Sequence, residues 1–449
     1  MWRGTRVAEM TVSYPDLLIL IMDILRSLIG ISVFIGIAYA ISENRSKISW
    51  KLILSALGLQ FLLAVLVLKV PIFSNMLQAL SGFFVELINF ANRGAQEVFG
   101  KLASDPFTYN TVIGFQVLPA IIFFAALTSL LYYFGILQKM VYALAWVMSK
   151  TMKLSGAESL AAAANVFIGQ TEAPLVVKPY LEKMTRSEIM ALMSGGFATI
   201  AGTVLAAFIL FLGGDDDAQR ALYGKHLITA SILSAPAALL FAKLMVPETE
   251  DVVEDLEISE DDLGSNAFDA ISKGTTEGLR LAMNVGAMLI VFIGFVTMAN
   301  YLLGDLLGAK TGLNSWVASI TDGRFDSFTL EFIFGIIFAP VAWLIGVDSG
   351  NLMVSGQLLG EKLVINEFFA FIHLGELKAS GAITDERTLI LLTYALCGFS
   401  NFPSMGIQIG GISAVAPGQR STICSLAIKA VTAGSFACFA TACVAGMFV

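Results

Sequence analysis

Apolar runs of eighteen or more residues recur along the whole chain, separated by short polar stretches, which is the pattern of a polytopic α-helical membrane protein. They predict spans at Leu17–Ile41, Leu52–Val70, Val112–Tyr133, Ile189–Leu212, Leu227–Val246 and Leu281–Leu303. Asp23 and Arg26 interrupt the first. Ala38-Tyr39-Ala40 has the form of a signal-peptidase site, but the segment before it is long and carries acids, so a retained helix is expected. Ile72–Ala103 is less apolar and carries Glu86, Arg93 and Glu97, which reads as a helix lying along the interface. Leu330–Val347 has the length to span, yet Pro340 interrupts it.

Charge orients these spans. Arg45, Lys47 and Lys51 mark a cytoplasmic loop, which puts the N-terminus outside. The third span then runs inward to Lys139, Lys150 and Lys153, and Asp215–Asp217 lie outside. Nine acids and no basic residue fall between Glu248 and Asp262, as expected of a mobile cytoplasmic linker. An amphipathic lead-in with Lys273 and Arg280 enters the sixth span, and Gly304–Ser327 is expected outside. Most of the net charge of −8 therefore describes one loop and gives no reason to expect a nucleic-acid partner. Apolar residues make up 57% and charged ones 14% of the chain, against about 25% charged in soluble proteins, which excludes a soluble multidomain reading. Cys397, Cys424, Cys438 and Cys443 fit no metal spacing and are expected as buried free thiols. His226 and His373 alone offer little for zinc chemistry or a histidine triad.

Two polar interruptions carry the candidate chemistry. In Asn165–Tyr180, NVFIGQTEAPLVVKPY, four polar side chains (Asn165, Gln170, Thr171, Glu172) follow an Ala-rich run. Pro174 disfavours helix just before it, so Thr171–Ala173 is expected as a break between short helices. Ionisable groups inside apolar sequence are costly unless they line a cavity. The second interruption is Asn366-Glu367, and the two have matching surroundings. Ala145-Trp146 and Ala342-Trp343 each precede a Ser-Gly (Ser155-Gly156, Ser349-Gly350), a small-residue helix and then the polar tip. Trp146 lies 26 residues before Glu172 and Trp343 lies 24 before Glu367. Beyond each tip comes a span weakened in its middle, at Thr199–Thr203 and at Cys397–Met405. Paired interrupted segments in two halves are the signature of an inverted-repeat secondary transporter. Three crossings between the repeats give the two hairpins opposite orientations, so their tips are expected to meet. In the second broken span, Tyr394–Ile412, Asn401 and Ser404 would present an amide and a hydroxyl to one ligand, with Phe399 and Phe402 as an aromatic wall.

GQTEAPL at Gly169–Leu175, GGFATIAGTVL at Gly195–Leu205, LVINEFFAF at Leu363–Phe371 and CGFSNFPSMGIQIGG at Cys397–Gly411 resemble the concentrative nucleoside transporter family in matching order. The resemblance implies an all-α polytopic membrane protein with eight transmembrane helices, two re-entrant hairpins and interfacial helices in an inverted repeat, assembled as a homotrimer. It makes Leu330–Val347 interfacial. Gln170 and Thr171 would bind the nucleobase, Glu172 would reach it through water, and Val204 would pack on it. Glu367, Asn401 and Ser404 would bind the ribose hydroxyls, with Phe399 beside them. A sodium ion, the coupling ion and sole cofactor expected, would sit at Asn165, Thr199 and carbonyls near Ile168 and Ile200. Pro403 stands where the family commonly has smaller residues.

The expected divisions are residues 1–133 (N-terminal scaffold), 134–246 (first repeat, tip at 169–173), 247–280 (linker and lead-in), 281–328 (sixth span and external loop) and 329–449 (second repeat, tip at 366–368). The resulting reading is a sodium-driven nucleoside importer of a bacterial inner membrane. Proton coupling through Glu172 or Glu367 is the nearest alternative. Further off stand a nucleoside-gated channel and an intramembrane glycoside-cleaving enzyme using those two carboxylates, for which no activated nucleophile is seen.

Overall fold

The computed structural model describes residues 14–104, 113–250, 252 and 265–449, and among these there is helix and connecting turn but no strand. The helices used below are α1 (Tyr14–Ala40), α2 (Trp50–Lys69), α3 (Pro71–Phe99), α4 (Leu118–Tyr133), α5 (Ile136–Met152), α6 (Gly156–Phe167), α7 (Ala173–Val176) and α8 (Lys178–Leu181). They continue as α9 (Arg186–Ala198), α10 (Gly202–Gly213), α11 (Asp217–Met245), α12 (Ala267–Asn300), α13 (Leu330–Ile345), α14 (Leu352–Val364), α15 (Glu367–Ala379), α16 (Glu386–Leu396), α17 (Phe402–Val415) and α18 (Arg420–Gly446).

Among the described residues eight segments are long and apolar enough to cross a membrane. The set differs from the expected one at two places. It includes α3, read above as interfacial, and omits α16–α17, which the break between Leu396 and Phe402 divides into pieces too short to count. In α3 only the stripe Leu77, Ser81, Val85, Ile88, Ala91 and Ala95 is buried, while Glu86, Arg93 and Glu97 are exposed. One buried face with charges on the rest suits a helix lying flat better than one crossing lipid.

Capping explains where several helices begin and end. The Asp216 side chain accepts from the backbone N–H groups of Ala218 and Gln219, so α11 starts at Asp217, well before the predicted Leu227. The sixth span also overruns its expected end. It continues as one helix from Ala267 to Thr311, with Tyr301–Gly308 wound as a π-helix. Asn314 secures that stretch, donating to the Gly304 carbonyl (3.0 Å) and accepting from the Phe328 N–H (2.9 Å).

Element order repeats along the chain. A helix of sixteen or seventeen residues (α5, α13) is followed by a helix pair (α6 with α7–α8, α14 with α15), a span broken in its middle (α9–α10, α16–α17) and one long continuous helix (α11, α18). α9 and α11 both pack on α18, so the two halves interlock, while α12 lies along α4 through Gly274 and Gly278. The two ends of the bundle are chemically distinct. At one end Glu43 joins Arg186 (2.8 Å) and Lys429 (2.7 Å), and its backbone N–H donates to the Met245 carbonyl. Hydrogen bonding from Arg186, ahead of its charge, pulls the Glu43 pKa down to about 2. At the other end Lys378 donates to the Leu212 carbonyl and to Gln219.

Buried Lys243 ties three segments at the Glu43 end, pairing with Glu158 and Glu248 and donating to Ser187 Oγ. Glu248 also accepts from Thr185 Oγ1 (2.9 Å), so the acidic linker leaves from a fixed point. The rest of that linker, 251 and 253–264, lies outside the described residues. Three cysteines are buried free thiols as expected, but Cys424 is exposed, because it falls on the outward face of α18.

Candidate functional site

The first tip is built to approach a broken span closely. A reciprocal Ser155–Glu158 capping box starts α6, whose small residues are buried as far as Val166. Chain direction changes at Gly169, whose φ of +85° favours glycine. A Cβ there would come within 2.6 Å of the Ala201 Cβ, so glycine also permits the contact between tip and break. Gly196 plays a similar part opposite, where a Cβ would meet Gln408 Nε2 at 2.6 Å. Pro174 sits in the first turn of α7, where its missing N–H costs nothing.

The two breaks touch. Thr199 and Ala201 adopt extended conformations between α9 and α10, and Thr199 Oγ1 donates to the Gly195 carbonyl (2.9 Å). The Phe399 N–H of the second break donates to the Thr199 carbonyl (3.3 Å). Cys438 Sγ on α18 lies against the carbonyls of Ala198 (3.6 Å) and Cys397 (3.2 Å), bridging both. Asn366 and Asn401 restart the helices after their turns, capping the N–H groups of Phe369 (2.9 Å) and Ser404 (2.8 Å).

Both tips and both broken spans meet around a cavity of about 250 Å³. Gln170, Thr171, Glu172, Val204, Glu367, Phe399, Asn401 and Ser404 all line it, so eight positions drawn from four separate segments come together. Asn401 Nδ2 donates to Glu367 Oε2 at 2.6 Å. Gln170 Nε2 donates to Ser404 Oγ at 3.3 Å. The arrangement offers two carboxylates, amides and hydroxyls, with Val204, Phe368 and Phe399 as apolar walls. Phe402 departs from the expected aromatic wall. It is 47% exposed and does not line the cavity, because as the first residue of α17 it points away from the break.

Asn165, Ile168, Thr199 and Ile200 are each buried and lie outside the cavity lining. Asn165 Nδ2 donates to the Leu192 carbonyl (3.4 Å), while its Oδ1 is buried with no hydrogen-bond partner. Two further residues escaped the sequence reading. Gln408 on α17 is buried, donates to Gln170 Oε1 (3.0 Å) and to the Met193 carbonyl (3.2 Å), and so holds the Gln170 amide in place. Asn284 lines the cavity from α12 and is the one polar side chain between Leu281 and Val296. Each is a lone amide within an apolar stretch, and that was the available signal.

A cavity lined by polar side chains among apolar walls, between broken helices of a multi-span bundle, is the architecture of a helical membrane transporter. Family models described as Na+ dependent nucleoside transporter match at the N-terminus over residues 29–102 and at the C-terminus over 226–446, and one described as nucleoside recognition matches over 114–215. An uncharacterized transporter of Haemophilus influenzae is 40% identical over 432 residues, covering 95% of this chain and 98% of that one. The nucleoside permease NupC of Helicobacter pylori is 36% identical, covering 96% and 99%. The solved structure of CNTnw in an inward-facing substrate-bound state superposes with a TM-score of 0.84 at 38% identity, covering 95% and 98%. The chain belongs to the Na+ dependent, concentrative nucleoside transporter family, whose members are transporters and not enzymes. With its bacterial relatives, it is a multi-pass protein of the bacterial inner membrane.

Proposed function

We propose that this protein imports nucleosides by sodium symport. The observation that carries the reading is the convergence of eight polar and apolar positions from two tips and two broken spans on one small cavity. Glu367, held by Asn401, accepts from ribose hydroxyls, and Ser404 and Phe399 complete that side. Gln170 supplies both donor and acceptor to a base edge, with Thr171 and Glu172 beside it and Val204 under the ring. An unpaired buried partner costs about 1–3 kcal/mol, so such a site rejects sugars lacking a hydroxyl.

Sodium fits Asn165, Ile168, Thr199 and Ile200. A hard monovalent cation prefers oxygen ligands, and the unpartnered Asn165 Oδ1 lies by the end of α6, close to the break that ends α9. Thr199 and the carbonyls of Ile168 and Ile200 supply the other oxygens. In this reading the tips are re-entrant hairpins of opposite orientation, 134–246 and 329–449 are inverted repeats, and three copies assemble. Uptake into proteoliposomes, with a sodium gradient or a proton gradient alone, tests it. Accumulation of unchanged nucleoside above the external concentration under sodium is expected. Accumulation driven only by protons sinks sodium coupling, equilibration without accumulation indicates a channel, and recovery of free base indicates an enzyme.

A further inference from the structure

Lys362 is buried, at 1% exposure, and does not line the cavity described above. Its Nζ donates to the Ala395 carbonyl at 2.9 Å and lies 5.9 Å from the ring centre of Phe439. Among the described residues no carboxylate lies within 4.0 Å of Nζ. Taking an ammonium out of water is costly unless something replaces its hydration. Here the replacement is the carbonyl end of α16, the negative pole of a helix interrupted in mid-span, together with an aromatic face.

The same place in the first half is filled differently. Asn165 is the third residue from the end of α6, and Lys362 is the third from the end of α14. Asn165 donates to the Leu192 carbonyl in α9, the first piece of the first broken span. Lys362 donates to Ala395 in α16, the first piece of the second. Each side chain therefore reaches from the first arm of a helix pair to the leading piece of the broken span that follows. Asn165 brings an oxygen with no partner, whereas Lys362 brings a positive charge.

We infer that Lys362 is a tethered cation, standing in the second half where the first half takes a mobile sodium ion. This rests on the sodium-symport reading. It fixes the number of coupling ions at one, because the second helix end is neutralised by a charge that never leaves. It also puts a fixed positive charge on the tip that carries Glu367, five residues further along.

The test is sodium-dependent thermal stabilisation of the purified protein, in wild type and in Lys362→Ala, at constant ionic strength. The slope of stability against the logarithm of sodium concentration counts the ions bound by the folded state. Wild type is expected to bind about one ion, and the variant to show a slope rising toward about two as sodium enters the vacated helix end. An unchanged or shallower slope in a folded variant overturns the inference. Should the variant not fold, the charge carried per nucleoside in wild-type proteoliposomes decides: one supports the inference and two overturn it. A wild type indifferent to sodium in both assays fails the symport reading instead, which separates the two failures.

Discussion

Asn401 spends both ends of its amide on structure. Its oxygen caps α17 through the Ser404 N–H (2.8 Å), and its nitrogen holds Glu367 Oε2 at 2.6 Å. One side chain thus restarts a broken span and aims the carboxylate of the tip in its own half. Glu367→Gln keeps the shape but removes the charged acceptor. It is expected to lower nucleoside affinity about 10–100-fold, since an unmet buried partner costs about 1–3 kcal/mol. The wild type is expected to prefer uridine to its 3′-deoxy analogue. Near-normal uptake by the variant, or equal uptake of the two sugars, refutes the ribose assignment.

Asn401 also separates capping from binding. Asn401→Ala loses both and is expected to cost about 1 kcal/mol of stability besides most uptake. Asn401→Asp retains the cap acceptor but sets a second carboxylate beside Glu367. It is expected to keep its thermal stability more closely than Asn401→Ala while losing uptake just as severely. Comparable uptake by wild type and Asn401→Asp would show that the contact to Glu367 is dispensable.

Much of this arrangement was legible from the chain. The polar residues of GQTEAPL and CGFSNFPSM stand out because they interrupt apolar sequence, and eight of the nine positions predicted to face solute, all but Phe402, line one cavity. Less legible was whatever depends on partners distant in sequence. Gln408 matters through Gln170, 238 positions away, and Asn284 through the approach of α12 to the tips. Phe402 was misjudged because composition gives no direction for the first residue of a helix. In α3 the charges Glu86, Arg93 and Glu97 carried the interfacial reading, although its apolar content also meets the length rule for a span.

Those two amides define a prediction about the base. Asn284→Leu removes a polar contact offered to solute by α12, and Gln408→Met frees the Gln170 amide from its brace. Each is expected to alter the ranking of purine and pyrimidine nucleosides by about tenfold. The preference for ribose over 3′-deoxyribose is expected to stay as in wild type. Competition of several nucleosides against labelled uridine measures both, and a uniform loss across bases would reduce these residues to packing roles.

Acid should loosen the end of the bundle that holds Glu43. Its folded pKa, about 2, lies below the ordinary carboxylate value because Arg186 and Lys429 bond to the ionised form. A depressed pKa contributes stability that is present above the unfolded value and is lost as pH falls through the folded one. The melting temperature of Glu43→Gln is therefore expected below that of wild type near neutral pH. The gap should narrow between roughly pH 4.5 and pH 2. A gap that stays constant over that range would show that Glu43 acts through shape alone.

Topology can be read by labelling. Cysteine at Ala218, in the turn that opens α11, is expected to react with an impermeant thiol reagent added outside intact cells. Cysteine at Glu250, where the acidic linker begins, is expected to react only from the cytoplasm. The native cysteines must be replaced first, exposed Cys424 above all. Swapped accessibility would invert the orientation drawn from Arg45, Lys47 and Lys51, and labelling of both from one side would remove a crossing between them.

The coupling ion offers the sharpest test of the first half. Asn165 is 1% exposed, and its Oδ1 has no partner although its Nδ2 is bound to the Leu192 carbonyl. A buried acceptor left unmet costs about 1–3 kcal/mol, which a bound cation would recover. The tip carrying Gln170 follows directly, so an ion there would brace the residues proposed to meet the base and link ion and nucleoside binding reciprocally. In wild type, sodium is expected to raise nucleoside affinity, and nucleoside to raise sodium affinity by the same factor. Asn165→Ala is expected to weaken that linkage several-fold while leaving the ranking of bases as it was. Isothermal titration of uridine across a range of sodium concentrations measures the factor directly. A variant whose uridine affinity follows sodium as steeply as the wild type would move the ion elsewhere.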